Sequence, residues 1–488
     1  MEPLATLRKI RLEKLEKIEK AGINPYPSKF DRTHTIVQAR KLPLGMEVKI
    51  AGRITGQRTH GGATFFDLLD ASGKIQLFFS KEILGPKIYP GGTSFAYNLI
   101  SNLDIGDFLG ISGKLFKTQA GELTVEVSEF IILAKSLRPL PSEWHGLKDV
   151  ETRLRKRYLD LIFNPELKVI FAKKSLFWTN VRKYLEDQGF LEVETPALEQ
   201  IPGGADARPF LTHHQAQDID LYLRISLELH LKRLIVAGYE KIFEIGRVFR
   251  NEGIDAEHLQ DYTQLEFYWA YADYRRLMDF VENFYKKAIY DTFSTLSTSF
   301  QGKKIDWGKE WPRIEYFEVF KKYTGQDLKN LEMEEDARNF AQKKGLETKK
   351  YQGQGKIIDL IYKKFVRPNL IQPAFLINHP IAVSPLAKKL PGDQTKVQRL
   401  QIVACGTELG NGFSELNDPL DQRKRFEEQA KLRARGDQEA QMMDEDFLEA
   451  LEYGMPPCAG FGMSERLFAY LVDKPMREIV FFPTLKPK

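Results

Sequence analysis

Between residues 48 and 133 the chain alternates apolar and polar side chains with a period of two, and this alternation limits the possible folds more than any other feature. Val48, Ile50 and Ile54 form one run, Thr64, Phe66 and Leu68 a second, and Ile75, Leu77 and Phe79 a third. Leu109, Ile111 and Leu115, then Leu123, Val125 and Val127, complete the series, with glycines at 61, 62, 73, 113 and 121 between runs. Successive side chains of a strand point to opposite faces, so each run predicts a half-buried strand. About five short strands in roughly ninety residues predict a small antiparallel barrel; the OB-fold is the commonest of that size, and SH3-like modules fit the spacing too.

Ahead of this region, Leu7, Ile10, Leu15 and Ile18 recur among lysines and glutamates at helical spacing. Gly22, Pro25 and Pro27 end that segment. Residues 1–30 are therefore expected to hold a surface helix that either packs on its own domain or touches a nucleic-acid backbone, with the barrel domain at 31–137. The stretch RPLPSEW starts a linker at 138–150. Over 151–488, helical runs such as 167–188 and 273–292 mix with strands such as 241–250. No regular βαβ alternation occurs, so the second domain reads as α+β.

Composition removes several classes of function. Lys+Arg 72 against Asp+Glu 67 leaves a formal charge of +5 in 488 residues, too mild for a polybasic mode of binding. Cys405 and Cys458 are the only cysteines, which offers neither a disulfide framework nor a cysteine zinc site and suggests a cytoplasmic protein. No window approaches the roughly 18 apolar residues of a membrane span, and the N-terminal segment MEPLATLRKIRLEKLEKIEK lacks the apolar stretch of a secretory signal.

Three segments could carry chemistry. FEIGRVFRNEGIDAEHLQDYTQLEFYWAY (243–271) reads as a hairpin whose Arg250 can face Tyr262, Glu266 and Tyr268 on the returning strand. A cation among aromatic and acidic side chains can hold a phosphate while a ring stacks a base, and an ordinary cross-strand salt bridge explains the same residues. In GTELGNGFSELNDP (406–419), Glu408 and Glu415 flank glycines, which predicts a tight turn gathering carboxylates for Mg²⁺, or else a solvated polar loop. In AGFGMSER (459–466), glycines precede Arg466 and an apolar run, as in an anion-facing helix start or a tight helix packing.

Taken together, the three segments resemble motifs 2 and 3 of the class II aminoacyl-tRNA synthetases. Motif 1 falls at GFLEVETPALEQIPGGADARPF (189–210). HGLKDVETRLRKRYLDLI (145–162), LRISLELHLKRL (223–234) and HPIAVSPLAK (379–388) are similar to the bacterial-type lysyl enzymes of that class. The resemblance covers nearly the whole chain. It implies an N-terminal OB-fold that binds the anticodon and a catalytic domain built on an antiparallel sheet flanked by helices, dimerised through motif 1. It implies a ligase acting on lysine, ATP and tRNA, with Mg²⁺ as cofactor and no membrane partner.

The same resemblance assigns residues. Arg250 and Arg466 would neutralise the ATP phosphates, Glu252 and His258 would contact ATP from the motif 2 loop, and Tyr262 would stack on adenine. Glu408 would bind Mg²⁺. Glu266, Glu415 and Tyr268, with Asn411 and Phe413 beside them, would grip the lysine side chain, while Glu228 and Gly204 would hold its α-amino group. Carboxylates with no buried cation between them repel, so a cationic substrate would supply the missing charge. Arg58, Phe65 and Gln76 would read the anticodon; Phe65 could equally be barrel core, but Phe66 next to it must take the opposite face.

The sequence departs from that family at three places. Gln401 occupies the usual position of a second Mg²⁺-binding glutamate, and a neutral amide is the weaker ligand. Motif 3 is one residue short before Arg466. Leu259-Gln260-Asp261-Tyr262 replaces a proline-containing loop. Two other functions compete: an aspartyl- or asparaginyl-type synthetase, which would need cations in its side-chain pocket, and a tRNA-binding paralogue with impaired activation.

Overall fold

The computed structural model describes residues 4–85, 97–141, 149–253 and 257–487. The chain divides into two compact units, Met1–Lys148 and Asp149–Lys488. Part of the expected linker, 142–148, lies outside the described residues.

The first unit is a closed five-stranded barrel. Strands β1 (Glu47–His60), β2 (Ala63–Leu69), β3 (Lys74–Ser80), β4 (Phe108–Lys117) and β5 (Leu123–Ala134) close in the order β1-β2-β3-β5-β4. The period-two residues fill its interior: Ile50, Ile54, Phe66, Leu77, Ile111 and Val125 are fully buried. Helix α1 (Leu4–Lys20) packs on its own unit, burying Ile18. It is held less by an apolar stripe than expected, since Ile10 is exposed. Arg11 is buried instead and donates to the carbonyls of Ile105 (2.9 Å) and Ser136 (3.1 Å). Close by, Lys135 is fully buried between Asp104 (2.5 Å) and Asp107 (2.8 Å).

The second unit is built on an eight-stranded sheet. Its strands are β6 (Leu191–Glu192), β7 (Lys241–Phe249), β8 (Asp261–Ala270), β9 (Arg313–Glu315), β10 (Ala374–Ile377), β11 (Arg399–Ala404), β12 (Thr407–Ser414) and β13 (Cys458–Ser464). They lie in the order β9-β10-β11-β12-β13-β8-β7-β6, antiparallel except that the outermost strand at each end pairs in parallel. Two long helices, α2 (Glu166–Asp187) and α4 (Tyr274–Phe293), cover one face, with α3 (Glu228–Val236) between them in the chain. Phe177 and Val181 of α2 and Leu277 and Phe284 of α4 share a core with Phe267 and Phe461 of the sheet. Alternation sends the neighbours of those two phenylalanines, Glu266, Tyr268 and Gly460, to the opposite face, where the cavity lies.

The segment holding Glu408 and Glu415 is not a tight turn. It is the strand β12, and its glycines serve close packing: a Cβ on Gly410 would lie 2.6 Å from Phe461 and Tyr285 atoms, and one on Gly412 2.7 Å from the Gly460 carbonyl. The actual turn is at Cys405 and Gly406, both at positive φ.

Candidate active site

A cavity of about 540 Å³ opens on the face of the sheet opposite α2 and α4. Strands β7 and β8 pair in continuous register from Lys241↔Trp269 to Phe249↔Asp261, which brings Arg250 back onto the returning strand. The Arg250 guanidinium lies 5.5 Å from the Tyr262 ring centre, and its Nε donates to the Ile225 carbonyl at 3.2 Å. Burial alone would lower the Arg250 pKa; Tyr262, Glu252, Glu266 and Glu408 outweigh burial and hold it above the ordinary value. Arg466 opens helix α5 (Arg466–Leu471) and lines the same cavity. Its Nε is buried without a hydrogen-bond partner.

Gln401 on β11 faces Glu408 on β12 and donates to its Oε2 at 2.8 Å. The register between these strands shifts by one residue, from Ile402↔Gly410 to Val403↔Glu408. Without that bulge Glu408 would point away from Asn411, Phe413 and Glu415; with it, all four line the cavity. Among the described residues no group of three or more His, Cys, Asp or Glu could hold a metal ion. One carboxylate and the partnerless buried Oε1 of Gln401 remain. These hard oxygens fit a Mg²⁺ that completes its shell with water and phosphate.

At the other end the pocket is strongly acidic. Glu266 is buried and accepts from Ser226 Oγ (2.6 Å), the Leu227 N–H (3.1 Å) and Tyr268 Oη (3.1 Å). Burial, with Glu228 adding to it, pushes the Glu266 carboxyl up to about 7. Glu228 and Glu415 are buried too, and here the expectation of carboxylates without a cation fails. Lys232, fully buried, pairs with Glu228 and, at 2.5 Å, with Glu415. Burial would lower its ammonium pKa, but the two glutamates raise it above the ordinary lysine range. Gly204 has φ +84° and so close an approach to Glu228 that a Cβ would lie 2.8 Å from that side chain.

Of the residues expected to meet ATP or lysine, Gly204, Glu228, Arg250, Tyr262, Glu266 and Tyr268 line this one cavity. So do Gln401, Glu408, Asn411, Phe413, Glu415 and Arg466, despite the short motif 3. Glu252 and His258 do not; both are half-buried on the loop that flanks residues 254–256, which lie outside the described residues. Sequence reasoning missed Lys232, whose only signal was its place four residues after Glu228 on one helix. It also missed Arg399, whose Nε donates to Asn411 Oδ1 at 2.8 Å.

On the barrel, Arg58, Phe65 and Gln76 share the outer face of β1–β3. Arg58 pairs in register with Phe65, and Asp67 with Gln76. Phe65 is half-buried, not core, and its ring centre lies 5.1 Å from that of Phe78, itself 5.8 Å from Phe116. Arg58 is held by Asp67 at 3.0 Å, and Gln76 Oε1 accepts from Thr124 at 2.8 Å.

A strand-built cavity lined by arginines and buried glutamates, in one chain with an OB barrel, agrees with the matches to known families. The family model for tRNA synthetases class II (D, K and N) matches residues 149–486, and that for the OB-fold nucleic acid binding domain matches 48–133. The chain belongs to the class II tRNA synthetase family. Within it, the chain is 49% identical to the lysine–tRNA ligase of Moorella thermoacetica over 99% of its own length and 98% of that protein's. It is 46% identical to the lysine–tRNA ligase of Syntrophomonas wolfei, over 99% and 98%. With that of Bacillus subtilis the identity is 43%, over 98% and 97%.

Proposed function

We propose that this chain is a lysine–tRNA ligase. The lysine carboxylate attacks the α-phosphorus of ATP, pyrophosphate leaves, and lysyl-adenylate forms. The terminal hydroxyl of the tRNA then attacks the acyl carbon, forming lysyl-tRNA and releasing AMP. The observation that carries this reading is the convergence of Glu228, Glu266 and Glu415 in one buried pocket whose buried Lys232 is already engaged by two of them. An aspartate side chain would face three glutamates there, with Arg399 already taken up by Asn411, Ser384 and the Val383 carbonyl, whereas an ammonium group finds carboxylates and the Tyr268 hydroxyl.

At the opposite end, Arg250 and Arg466 neutralise the charge that develops on the phosphates, and Tyr262 stacks on adenine. Glu408, aided by Gln401, would hold Mg²⁺, which would supply further charge neutralisation. Glu252 and His258 contact ATP from their loop. Arg58, Phe65 and Gln76 hold the anticodon by stacking and edge hydrogen bonds. A homodimer through motif 1 is supported by the exposed Val169 and Leu176 on α2 and Leu191 on the sheet edge. No helix among the described residues is long and apolar enough to cross a membrane, and a cytoplasmic location accords with the substrates.

Amino-acid-dependent ATP–pyrophosphate exchange, run across a magnesium titration, tests this function. Lysine is expected to support exchange. Exchange with aspartate or asparagine but not lysine would overturn the lysine assignment. No exchange with any amino acid, from folded protein that still binds tRNA, would favour a binding paralogue.

A further inference from the structure

We propose that Lys232 is a positioning and specificity residue: a built-in counter-ion that fixes both the length and the charge of the amino-acid pocket. The proposal rests on the lysine-activating function above.

An ion pair four residues apart on a solvated helix is worth only a few tenths of a kcal/mol and positions nothing. Lys232 is different in two respects. It is fully buried, and its second carboxylate, Glu415, comes from the end of strand β12, not from its own helix. Its Nζ also lies 5.3 Å from the centre of the Phe413 ring, so the ammonium is enclosed by the pocket wall. In the proposed function, Glu228 takes the substrate α-amino group and Glu415 its ε-ammonium. One ammonium between these carboxylates therefore sets the distance between the two ends of the substrate. Neither carboxylate can move along the pocket without leaving Lys232 buried and underpaired, which is strongly unfavourable.

Charge balance gives Lys232 a second role. With all groups ionised, Glu228, Glu266 and Glu415 against Lys232 leave two negative charges among these four side chains, offset in part by Arg399, which acts on Glu228 from the cavity wall. The incoming amino acid brings two ammonium groups. Without Lys232 the pocket would carry a third uncompensated charge and would take up protons that the substrate must then displace. Ornithine, one methylene shorter than lysine, cannot span carboxylates clamped at the longer spacing; a pocket free to contract would accept it more readily.

The experiment compares wild type with Lys232→Met and Lys232→Arg in exchange assays with lysine and ornithine, alongside the KM for ATP and the melting temperature. Lys232→Met is expected to raise the lysine KM about tenfold or more while leaving the ATP KM nearly unchanged. It is also expected to lower the lysine-over-ornithine ratio of kcat/KM by about tenfold, the order that one methylene is worth in a fitted pocket. Lys232→Arg keeps the charge and alters the length, so it should recover most of the lysine KM but little of the ratio. The proposal is overturned if the ratio is unchanged in either variant. It is equally overturned if lysine KM, ATP KM and kcat all deteriorate in step with a falling melting temperature, the mark of a purely structural residue. Should Lys232→Met not fold, Lys232→Arg decides by its ratio alone. Wild-type protein that activates another amino acid and not lysine overturns the underlying function instead, so the two failures are distinguishable.

Discussion

Gly460 and Glu415 approach so closely that a Cβ on Gly460 would lie 2.1 Å from Glu415 Oε1. The same added atom would lie 2.5 Å from the Tyr268 ring. Glycine at 460 is thus what lets β13 pass beneath the pocket glutamate. Gly460→Ala is expected to push Glu415 out of place, cost about 2 kcal/mol of stability by overpacking, and raise the lysine KM by about tenfold or more. ATP binding, measured by calorimetry, should be little changed; unaltered lysine kinetics would refute this account of the glycine.

Glu266 supplies a pH prediction. Its carboxyl is pushed from 4.5 up to about 7, so between those values the folded protein holds a proton that the unfolded chain releases. This group's contribution to stability therefore falls as pH rises from about 4.5 through 7. A bound ammonium reverses the preference, so lysine should bind more weakly as pH drops below about 7 and should raise the melting temperature more at pH 8 than at pH 6. In Glu266→Gln the lysine-induced rise should vanish at both values, while the unliganded protein melts no lower at pH 8 than wild type does.

Gln401 now donates to Glu408. Gln401→Glu would replace that donor with a second carboxylate beside the first and create a stronger cation site. Exchange in the variant should reach half-maximal rate at a lower magnesium concentration than in wild type. A magnesium titration that superimposes on wild type would show that position 401 has no part in metal binding.

On the barrel, Phe65→Ala removes a stacking surface worth about 1–3 kcal/mol per base. Binding of tRNA should weaken about tenfold, with lysine-dependent exchange in the absence of tRNA unchanged. Phe78→Ala should behave similarly, because its ring adjoins that of Phe65 at 5.1 Å.

Lys135 lies fully buried against Asp104 and Asp107. Lys135→Met leaves the buried Asp107 carboxylate without its cation and should destabilise the first unit by roughly 3 kcal/mol or more. Lys14→Ala, which removes a partly exposed partner of Asp104, should cost well under half of that. Urea denaturation followed by a probe in the barrel measures both.

The barrel was legible in the sequence because one of its faces meets only core and the other only solvent or ligand, so period-two alternation survives in Ile50, Phe66 and Leu77. The cavity's residues were legible chiefly through their order along the chain. What the sequence concealed was geometry that depends on neighbours. Gly410 and Gly412 resemble turn residues, yet they are glycine because Phe461, Tyr285 and the Gly460 carbonyl occupy the space a side chain would need. Lys232 resembles the exposed partner of Glu228 on an amphipathic helix; its burial follows from the strand that carries Glu415. Ile10 fits an apolar stripe, but Arg11 found better partners in the carbonyls of Ile105 and Ser136.

The one-residue register shift between β11 and β12 has a consequence for how two reactants meet. Glu408 and Glu415 belong to one continuous stretch of backbone and, in the proposed function, serve the nucleotide and the amino acid respectively. The separation of the two substrates is thus gauged by covalent bonds within a paired strand and not by the drift of loops. Adding a single residue between Ile402 and Val403, so that Leu409 gained a partner, would restore strict alternation and turn Glu408 to the far side of the sheet. Lysine recognition and nucleotide activation would then be uncoupled by one peptide unit.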